Sequence, residues 1–496
     1  MKLVNKTILN IVTFLSIFLI IFQIISIFFG TYYLGDTVSY FEFASVGGPL
    51  TTFIIHQSLW TPLFSLILNI SEKITLDPIF LASLTTFTFL SLSSATVFGL
   101  FKNFGVSLKK SLIIIALSLL TGHVSILMQT YMSEPLMITL VLLSLFMFFK
   151  FWRTAKEFWL ILFVLFSALV PLARYLGAPI IVWLSFLLFV KLLLDLKSKK
   201  KFQYSPWLLI VSLAFIWVPI GFYMFKTKVV AGSFMGVRDL RNSLDLSKLA
   251  LKYLLNLWND LYLLAPITLL VGLTTKTKDI RRSLFSILVF LGSAGIYLLG
   301  LFYSETRFFV DPHLPSRYIA ISYPFLVFSL FIFGSVLNYF FTQKVGLFKK
   351  LLPYFKNVIY TSLILFLSVT LFTNYTRLSS EGNDINSVVT GVYSTRDLDT
   401  VCDNNLKQSI FVHDHSRNWI LKSYFYFCDR DMNRINLEND LIEKGSRLIS
   451  AYKLENSSLE QIYYIDADGY DFYVYDVKDD FLINIEDAFL KRGKFD

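Results

Sequence analysis

The sequence predicts a polytopic α-helical membrane protein with a small C-terminal domain outside the membrane. Its 496 residues are 55% hydrophobic and 16% charged, whereas a soluble protein has about 25% charged residues. Apolar runs long enough to cross a bilayer recur along the chain, and they stop after about residue 374. This composition excludes an ordinary soluble enzyme. A Phe-rich, charge-poor chain also does not suit nucleic-acid binding, despite its net charge of +10.

The apolar runs predict about eleven membrane spans, because one span needs about 20 mostly apolar residues. The first run, from Ile8 to about Phe29, is too long for a secretory signal and lacks a small-x-small cleavage site, so we interpret it as a retained anchor. The other runs lie at 79–101, 111–130, 135–150, 158–172, 176–195, 206–225, 259–273, 283–302, 318–338 and 357–373.

Lysine and arginine residues set the predicted orientation, because cytoplasmic loops carry an excess of them. With a cytoplasmic N-terminus, the loops on that side hold twice as many of these residues as the segments on the opposite side. We therefore expect a multi-pass protein of the cell membrane with its N-terminus in the cytoplasm. An odd number of spans then places the C-terminal domain outside.

The division into domains follows the change in composition: 1–374 forms the membrane part and 375–496 an extracytoplasmic domain. Strand-like alternation at Gln461–Ile465 and Tyr470–Val477 predicts a small α/β or mainly β fold. Three residues predict a turn between these two runs: Asp466, Asp468 and Gly469.

Both cysteines fall in this outer domain. Cys402 and Cys428 form either a disulfide or two buried thiols. The sequence His413-Asp414-His415 suits either a metal site or, more simply, a polar turn, and the chain contains no zinc-binding pattern.

The stretch after the first run is the most informative part of the sequence. It reads Gly35-Asp36-Thr37-Val38-Ser39-Tyr40, and Ala44, His56 and Pro62-Leu63-Phe64 follow. An acid held at an apolar boundary is partly desolvated, which favours a role as a base or metal ligand. The alternative is a helix N-cap, since Asp36 precedes apolar residues at helical spacing.

Two other charged residues lie at predicted outer ends of spans. Glu134, in Ser133-Glu134-Pro135, is either a capping or solvated residue or part of an active site. Arg174 lies where Pro171 and Pro179 interrupt two apolar runs. Such an arginine is costly unless it is paired, lines a water-filled cavity or snorkels to the interface, and an anion ligand is one such use.

Arg317-Tyr318 opens a late apolar run, with His313 shortly before it. The planar fork of arginine suits phosphate oxygens. The alternative is an interfacial arginine beside a tyrosine of the aromatic belt. Because Arg174, Arg317 and His313 are all predicted on the side of Asp36, we favour a phosphate site there.

The outer segment 226–257 is basic against the general trend, and its leucine spacing predicts a helix lying in the membrane interface. Its cations would attract the phosphate of a lipid substrate or merely anionic headgroups.

The first-loop motif, the Glu-Pro pair and the Arg-Tyr pair together resemble the GT-C glycosyltransferases. The similarity is closest to the protein-mannosyltransferase-like and aminoarabinose-transferase-like branch. It implies a large first outer loop, many spans and a soluble outer domain. It also implies transfer of a sugar, with inversion, from a polyprenyl-phosphate donor to a glycan, lipid or protein acceptor.

The resemblance also implies roles for single residues. Asp36 corresponds to the catalytic acid of the first loop. Many members carry Glu directly after it, whereas this chain has Thr37, with Glu42 as an unmatched substitute. We assign no metal ligand, and a divalent metal stays an open alternative. The expected donor-phosphate ligands are Arg174, Arg317 and His313, and the expected substrate contacts are Tyr40, His56, Glu134 and Tyr318.

Two other functions fit the same layout. An O-antigen-ligase-like or polymerase-like enzyme with a diphosphate-linked donor would use an arginine clamp without requiring the first-loop Asp. A flippase or transporter of lipid-linked sugars would usually contain two related halves, which the sequence does not show.

Overall fold

The computed structural model of the protein comprises two compact units, a helical unit and a unit of strands. The residues that it describes are 2–29, 62–72, 78–197, 205–231, 246–275, 277, 279–307, 315–344, 346–379, 410–413, 432–434, 441–442, 444, 447–450, 457–467 and 470–482.

The described helical unit contains fourteen α-helices. They are α1 (Lys2–Phe29), α2 (Pro62–Glu72), α3 (Pro78–Asn103), α4 (Leu108–Leu119), α5 (Gly122–Leu127), α6 (Ser133–Thr154), α7 (Glu157–Ala173), α8 (Ala178–Lys197), α9 (Pro206–Ala231), α10 (Leu246–Leu273), α11 (Ile280–Arg307), α12 (Pro315–Ala320), α13 (Tyr323–Lys344) and α14 (Gly346–Ser379).

Eight of the described helical segments are long and apolar enough to cross a membrane, and bent α10 adds a ninth if its two parts count as one span. The chain is therefore a polytopic helical membrane protein, as the sequence predicts. In α10 a bend of 54° separates Tyr253–Asn259 from Leu261–Leu273. The bend coincides with the predicted boundary between the interface helix and the span that follows it.

Two predicted spans fall on shorter helices. The run 158–172 corresponds to α7, whose 17 residues cover about 26 Å at ~1.5 Å per residue. The run 111–130 is interrupted, because α4 ends at Leu119 and α5 starts again at Gly122, where φ is +56°. Neither α4 nor α5 alone reaches the ~20 residues of a full span. The predicted count of eleven spans therefore stays a prediction.

Burial separates central from peripheral helices. In α6 and α13, 78% and 83% of the apolar window is buried inside the helical unit, against 28% in α9 and 22% in α14. The outward faces of the peripheral helices carry large apolar side chains such as Trp207 and Phe222. These faces suit contact with lipid, because soluble proteins rarely expose such large apolar surfaces to water.

Hydrogen bonds between helices identify the two ends of the helical unit. At one end, which we call the lysine end, Lys109 bonds to Asn10 of α1, and Lys110 bonds to the end of α10. At the opposite end, about 20 Å further along α1, the Gln23 amide donates to the carbonyl of Ser125 in α5 at 2.9 Å. Helix α12 packs on α5 and therefore belongs to this opposite end.

The strand unit contains a five-stranded sheet and a two-stranded sheet, with strand orders β2-β1-β4-β6-β5 and β3-β7. Strand β1 is parallel to β2 and β4, whereas the other pairs are antiparallel. The strands are β1 (Ile410–His413), β2 (Met432–Arg434), β3 (Leu441–Ile442), β4 (Arg447–Ser450), β5 (Leu459–Ala467), β6 (Tyr470–Val477) and β7 (Phe481–Leu482).

Strands β5 and β6 confirm the two predicted strand runs and pair as an antiparallel hairpin. Asp466 is not part of the turn, because the ladder extends past it: Asp466 pairs with Asp471 and Ala467 with Tyr470. Asp468 and Gly469 lie outside the described residues.

The predicted domain boundary after residue 374 falls inside α14, which continues to Ser379. His413 ends β1. The other residues of the predicted cysteine and histidine pairs lie outside the described residues: Cys402, Cys428, Asp414 and His415.

Candidate functional site

Three of the site residues predicted from the sequence meet at the end of the helical unit that lies opposite the lysine end. They are Glu134, Arg174 and Tyr318, and the structure describes their side chains. Arg317 belongs to α12, but its side chain lies outside the described part. Four further predicted site residues lie wholly outside the described residues: Asp36, Tyr40, His56 and His313.

Glu134 lies in the first turn of α6, between Ser133 and Pro135. A proline is tolerated in this turn because its missing N–H would have no partner within the helix. A carboxylate is favoured there by the positive end of the helix dipole. The side chain of Glu134 is 0% exposed, so the solvated alternative considered from the sequence is wrong.

Arg174 projects from a tight connection between α7 and α8. It ends α7 in an extended conformation, and a short 3₁₀ turn, Tyr175–Gly177, follows. A Cβ atom at Gly177 would lie 2.3 Å from Val170 and 3.1 Å from Met137 of α6, so only glycine allows this close approach. The connection thereby brings Arg174 against the first turn of α6.

Arg174 and Glu134 form a buried ion pair. Arg174 Nη1 lies 3.0 Å from Glu134 Oε2, with side-chain exposures of 10% and 0%. The same nitrogen donates to Ser133 Oγ at 2.9 Å. Of the three outcomes considered for Arg174, the structure therefore shows pairing, which offsets much of the cost of burying a charge.

The third residue, Tyr318, places an aromatic face beside the ion pair. The centre of the Arg174 guanidinium lies 5.0 Å from the centroid of the Tyr318 ring, a cation–π geometry. The hydroxyl of Tyr297, in α11, donates to the carbonyl of Tyr318 at 3.0 Å, and Tyr297 is fully buried. Sequence analysis missed Tyr297, because a single tyrosine within an apolar run carries no motif.

A second set of polar groups at this end was also missed. Gln23 and Ser26 of α1 bond to Ser125 and Gln129, and Asn374 of α14 donates to Ser125 Oγ at 3.4 Å. Each of these side chains is at least nine-tenths buried. In the sequence these side chains appear only as polar residues within apolar runs or just after them, and nothing there shows that they meet.

The arrangement at Arg174 is suited to electrostatic interaction with a charged substrate. Arg174 and Glu134 are together neutral, but the pair is strongly dipolar and is fixed by Ser133 and by the Tyr318 ring. Charges that are held in a largely dry site interact more strongly with a charged substrate than they would in water. Among the described residues, no group of three or more histidine, cysteine, aspartate or glutamate side chains could hold a metal ion.

Comparison of the chain with protein-family models and with curated proteins finds no match.

Proposed function

We propose that the protein is an integral membrane glycosyltransferase. It transfers a sugar from a polyprenyl-phosphate donor to a glycan, lipid or protein acceptor at the extracytoplasmic face. The observation that carries this proposal is the convergence of Glu134, Arg174 and Tyr318. These residues come from three separate parts of the chain; the sequence predicts Arg174 as a donor-phosphate ligand and Glu134 and Tyr318 as substrate contacts.

The chemistry of the ion pair supports a role with a charged substrate. Ionisable residues buried in membrane proteins are rare and typically serve a substrate or ion pathway. A hydrophobic pair of similar volume would often be as stable as an ion pair. The presence of charge on both Arg174 and Glu134 therefore suits a function better than stability alone.

In the proposed mechanism, Asp36 accepts the proton of an acceptor hydroxyl while the hydroxyl oxygen attacks the anomeric carbon of the sugar. The bond between this carbon and the phosphate oxygen breaks, and its electron pair leaves with the phosphate. Arg174, Arg317 and His313 stabilise the negative charge that develops on the leaving group.

The remaining predicted contacts position the substrates. Glu134 orients the Arg174 guanidinium, and Tyr318 covers its face. Tyr40 and His56, in the first outer loop, contact the sugar or the acceptor. A phosphate is a good leaving group that needs little acid assistance, so one base and a set of cations are sufficient.

The test is a transfer assay with purified protein and labelled polyprenyl-phosphate sugars. Arg174→Met is expected to lower the transfer rate roughly 10²-fold, the loss typical when one stabilising donor is removed. The matched control is Lys191→Met. This change removes a second ion pair, Lys191–Asp195, whose Nζ–Oδ2 distance is 2.9 Å and which lies elsewhere in the helical unit.

Transfer by the Lys191→Met variant should stay near the wild-type rate. Equal losses in both variants would indicate a general effect of removing a buried cation and would contradict the proposed role of Arg174. Only variants that elute as a single species during size-exclusion chromatography are compared.

A further inference from the structure

Helix α6 is open to its surroundings only in the half near the lysine end. Every residue from Ser133 to Leu142 is buried, whereas Leu143, Phe146 and Lys150 are half-buried. Spacings of three and four residues place these three side chains on one face of the helix. The second half of α6 therefore has a partly exposed apolar stripe with a lysine at its end.

Helices α3 and α7 flank this stripe. Both pack on α6, but among the described residues they make few contacts with each other. The Phe146 ring touches both neighbours: a Cβ atom at Gly99 of α3 would lie 3.0 Å from it, and the centroid of the Trp159 ring of α7 lies 6.4 Å from its own. The three helices thus form a groove in which α6 is the floor.

Two lysines lie at the end of this groove. Lys102 is in the last turn of α3, and Lys150 lies one turn before the end of α6. Lys102 follows Gly99 by one helical turn, and Lys150 follows Phe146 by one turn. Because both helices run towards the lysine end, the contact between Gly99 and Phe146 brings the two lysines to the same level.

Aromatic rings hold both lysines in place. The Lys150 Nζ lies 5.4 Å from the centroid of the Phe146 ring and 5.5 Å from that of Trp159. The Lys102 Nζ lies 5.9 Å from the centroid of Phe98. A cation over a ring keeps N–H donors for another ligand. In the described part of the chain, neither lysine forms an ion pair with an acidic side chain.

We propose that this groove binds one anionic phospholipid from the leaflet at the lysine end. The lipid phosphate lies between Lys102 and Lys150, and one acyl chain lies along Leu143 and Phe146. Lysine is a common phosphate ligand, and a tryptophan such as Trp159 suits the level of the headgroups. The site lies at the opposite end from Arg174, so it does not depend on the proposed glycosyltransferase activity.

The experiment is native mass spectrometry of the full-length protein, titrated with phosphatidylglycerol or with phosphatidylcholine of the same acyl chains. The wild type should bind phosphatidylglycerol at least about fivefold more tightly, the factor expected for one cation near an anionic headgroup. Lys102→Met and Lys150→Met should each weaken phosphatidylglycerol binding about fivefold and leave phosphatidylcholine binding unchanged. Lys150→Arg keeps the charge and should keep the preference.

Lys197→Met is the matched control for charge. Lys197 is an exposed lysine in the last turn of α8, which ends at the lysine end but forms no part of the groove. This variant should bind phosphatidylglycerol like the wild type. An equal loss in all three methionine variants would reduce the effect to general attraction of anions and overturn the proposal. A wild type without preference for phosphatidylglycerol would also overturn it.

A second pair of variants tests the acyl chain without a change in charge. Leu143→Trp places a larger side chain on the floor of the groove and should weaken phosphatidylglycerol binding. Leu165→Trp is its control, because Leu165 lies on the outward face of α7 and is 52% exposed. Equal affinity of these two variants for phosphatidylglycerol would overturn the proposed position of the lipid.

Discussion

A guanidinium and a carboxylate buried side by side depend on each other. The pair formed by Arg174 and Glu134 is exposed only slightly at the arginine and not at all at the glutamate. Each charge compensates the cost of burying the other. Removal of one partner therefore has a larger effect than the removal of both.

Arg174→Met is expected to lower the free energy of unfolding by about 3–5 kcal/mol, since it leaves the Glu134 carboxylate buried and uncompensated. The double variant Arg174→Met/Glu134→Leu should recover a large part of this loss. Denaturant unfolding in detergent, arranged as a double-mutant cycle, measures both values. A double variant that is less stable than either single variant would contradict the dependence of one charge on the other.

Lys110 gives a pH-dependent prediction at the residue scale. Its pKa in the folded protein is about 7, below the ordinary value of 10.5. Between these two values the unfolded chain binds more protons than the folded protein, so the contribution of Lys110 to stability rises with pH. The contribution is largest above 10.5 and is lost progressively as the pH falls towards 7.

The melting temperature of the wild type should therefore increase relative to that of Lys110→Met as the pH is raised from 7 to about 10. The measurement uses phosphate-free buffer and a zwitterionic detergent, so that no bound anion offsets the charge of Lys110. Lys109→Met should show no comparable trend. A constant difference between the wild type and Lys110→Met across this range would contradict the shifted pKa.

The sequence predicted single site residues better than their partners. Glu134 and Arg174 stand out because they are charged residues near a proline at the end of an apolar run, and Tyr318 stands out because it follows Arg317. Tyr297 and Gln23 do not stand out, because a polar residue inside a run has meaning only once its partner is known. The partner of Gln23 is Ser125, far along the chain.

At the scale of elements, apolar runs predict where helices lie but not where they break. The run 111–130 is continuous in hydropathy, yet it forms two helices separated by Leu120 and Thr121. The positive φ of Gly122 is a local backbone conformation that a hydropathy pattern does not reveal. In the strand unit, alternation predicted the β5–β6 hairpin, but it could not predict the parallel pairing of β1 with β2 and β4.

The crossing of α10 and α13 depends on two glycines. A Cβ atom at Gly334 would lie 2.2 Å from the carbonyl oxygen of Leu269, and one at Gly272 would lie 2.2 Å from that of Phe331. Both contacts are with backbone atoms, which cannot rotate away. The two helices approach this closely because neither has a side chain at the crossing point.

Gly334→Ala is expected to destabilise the protein by about 1–3 kcal/mol, the usual cost of overpacking. Gly295→Ala in α11 is the matched control, because a Cβ atom there meets nothing within 4 Å. The control should be neutral or slightly stabilising, since alanine favours a helix. Equal melting temperatures for the two variants would contradict the close crossing.

At the scale of the whole molecule, the predicted alternation of loops agrees with the interactions between helices. The predicted cytoplasmic residues Lys109 and Lys110 share one end of the helical unit, and Arg174 and Glu134 lie at the other. Counting the Lys and Arg residues of alternate loops predicts which residues share an end, because that arrangement depends only on the order of the loops along the chain. It could not predict which helices lie at the centre, since the hydropathy of α6 and α13 lies between that of the peripheral helices α14 and α9.

The orientation in the membrane is tested by reporter fusions. Alkaline phosphatase fused after Ser379 should be active, because we expect the chain to leave the membrane on the extracytoplasmic side there. The same enzyme inserted after Lys197 should be inactive, because that loop is predicted to be cytoplasmic. The reversed pattern would place Arg174 and Glu134 on the cytoplasmic side and exclude the proposed site of transfer.

The central claim is the transfer of a sugar from a polyprenyl-phosphate donor, and it is tested most directly with purified protein in lipid vesicles. We predict that the wild type moves a labelled sugar from the monophosphate-linked donor to an acceptor, and that Asp36→Asn abolishes the transfer. Movement of the intact labelled donor across the bilayer without transfer would contradict the claim and indicate a flippase. Transfer from a diphosphate-linked donor alone would contradict it as well.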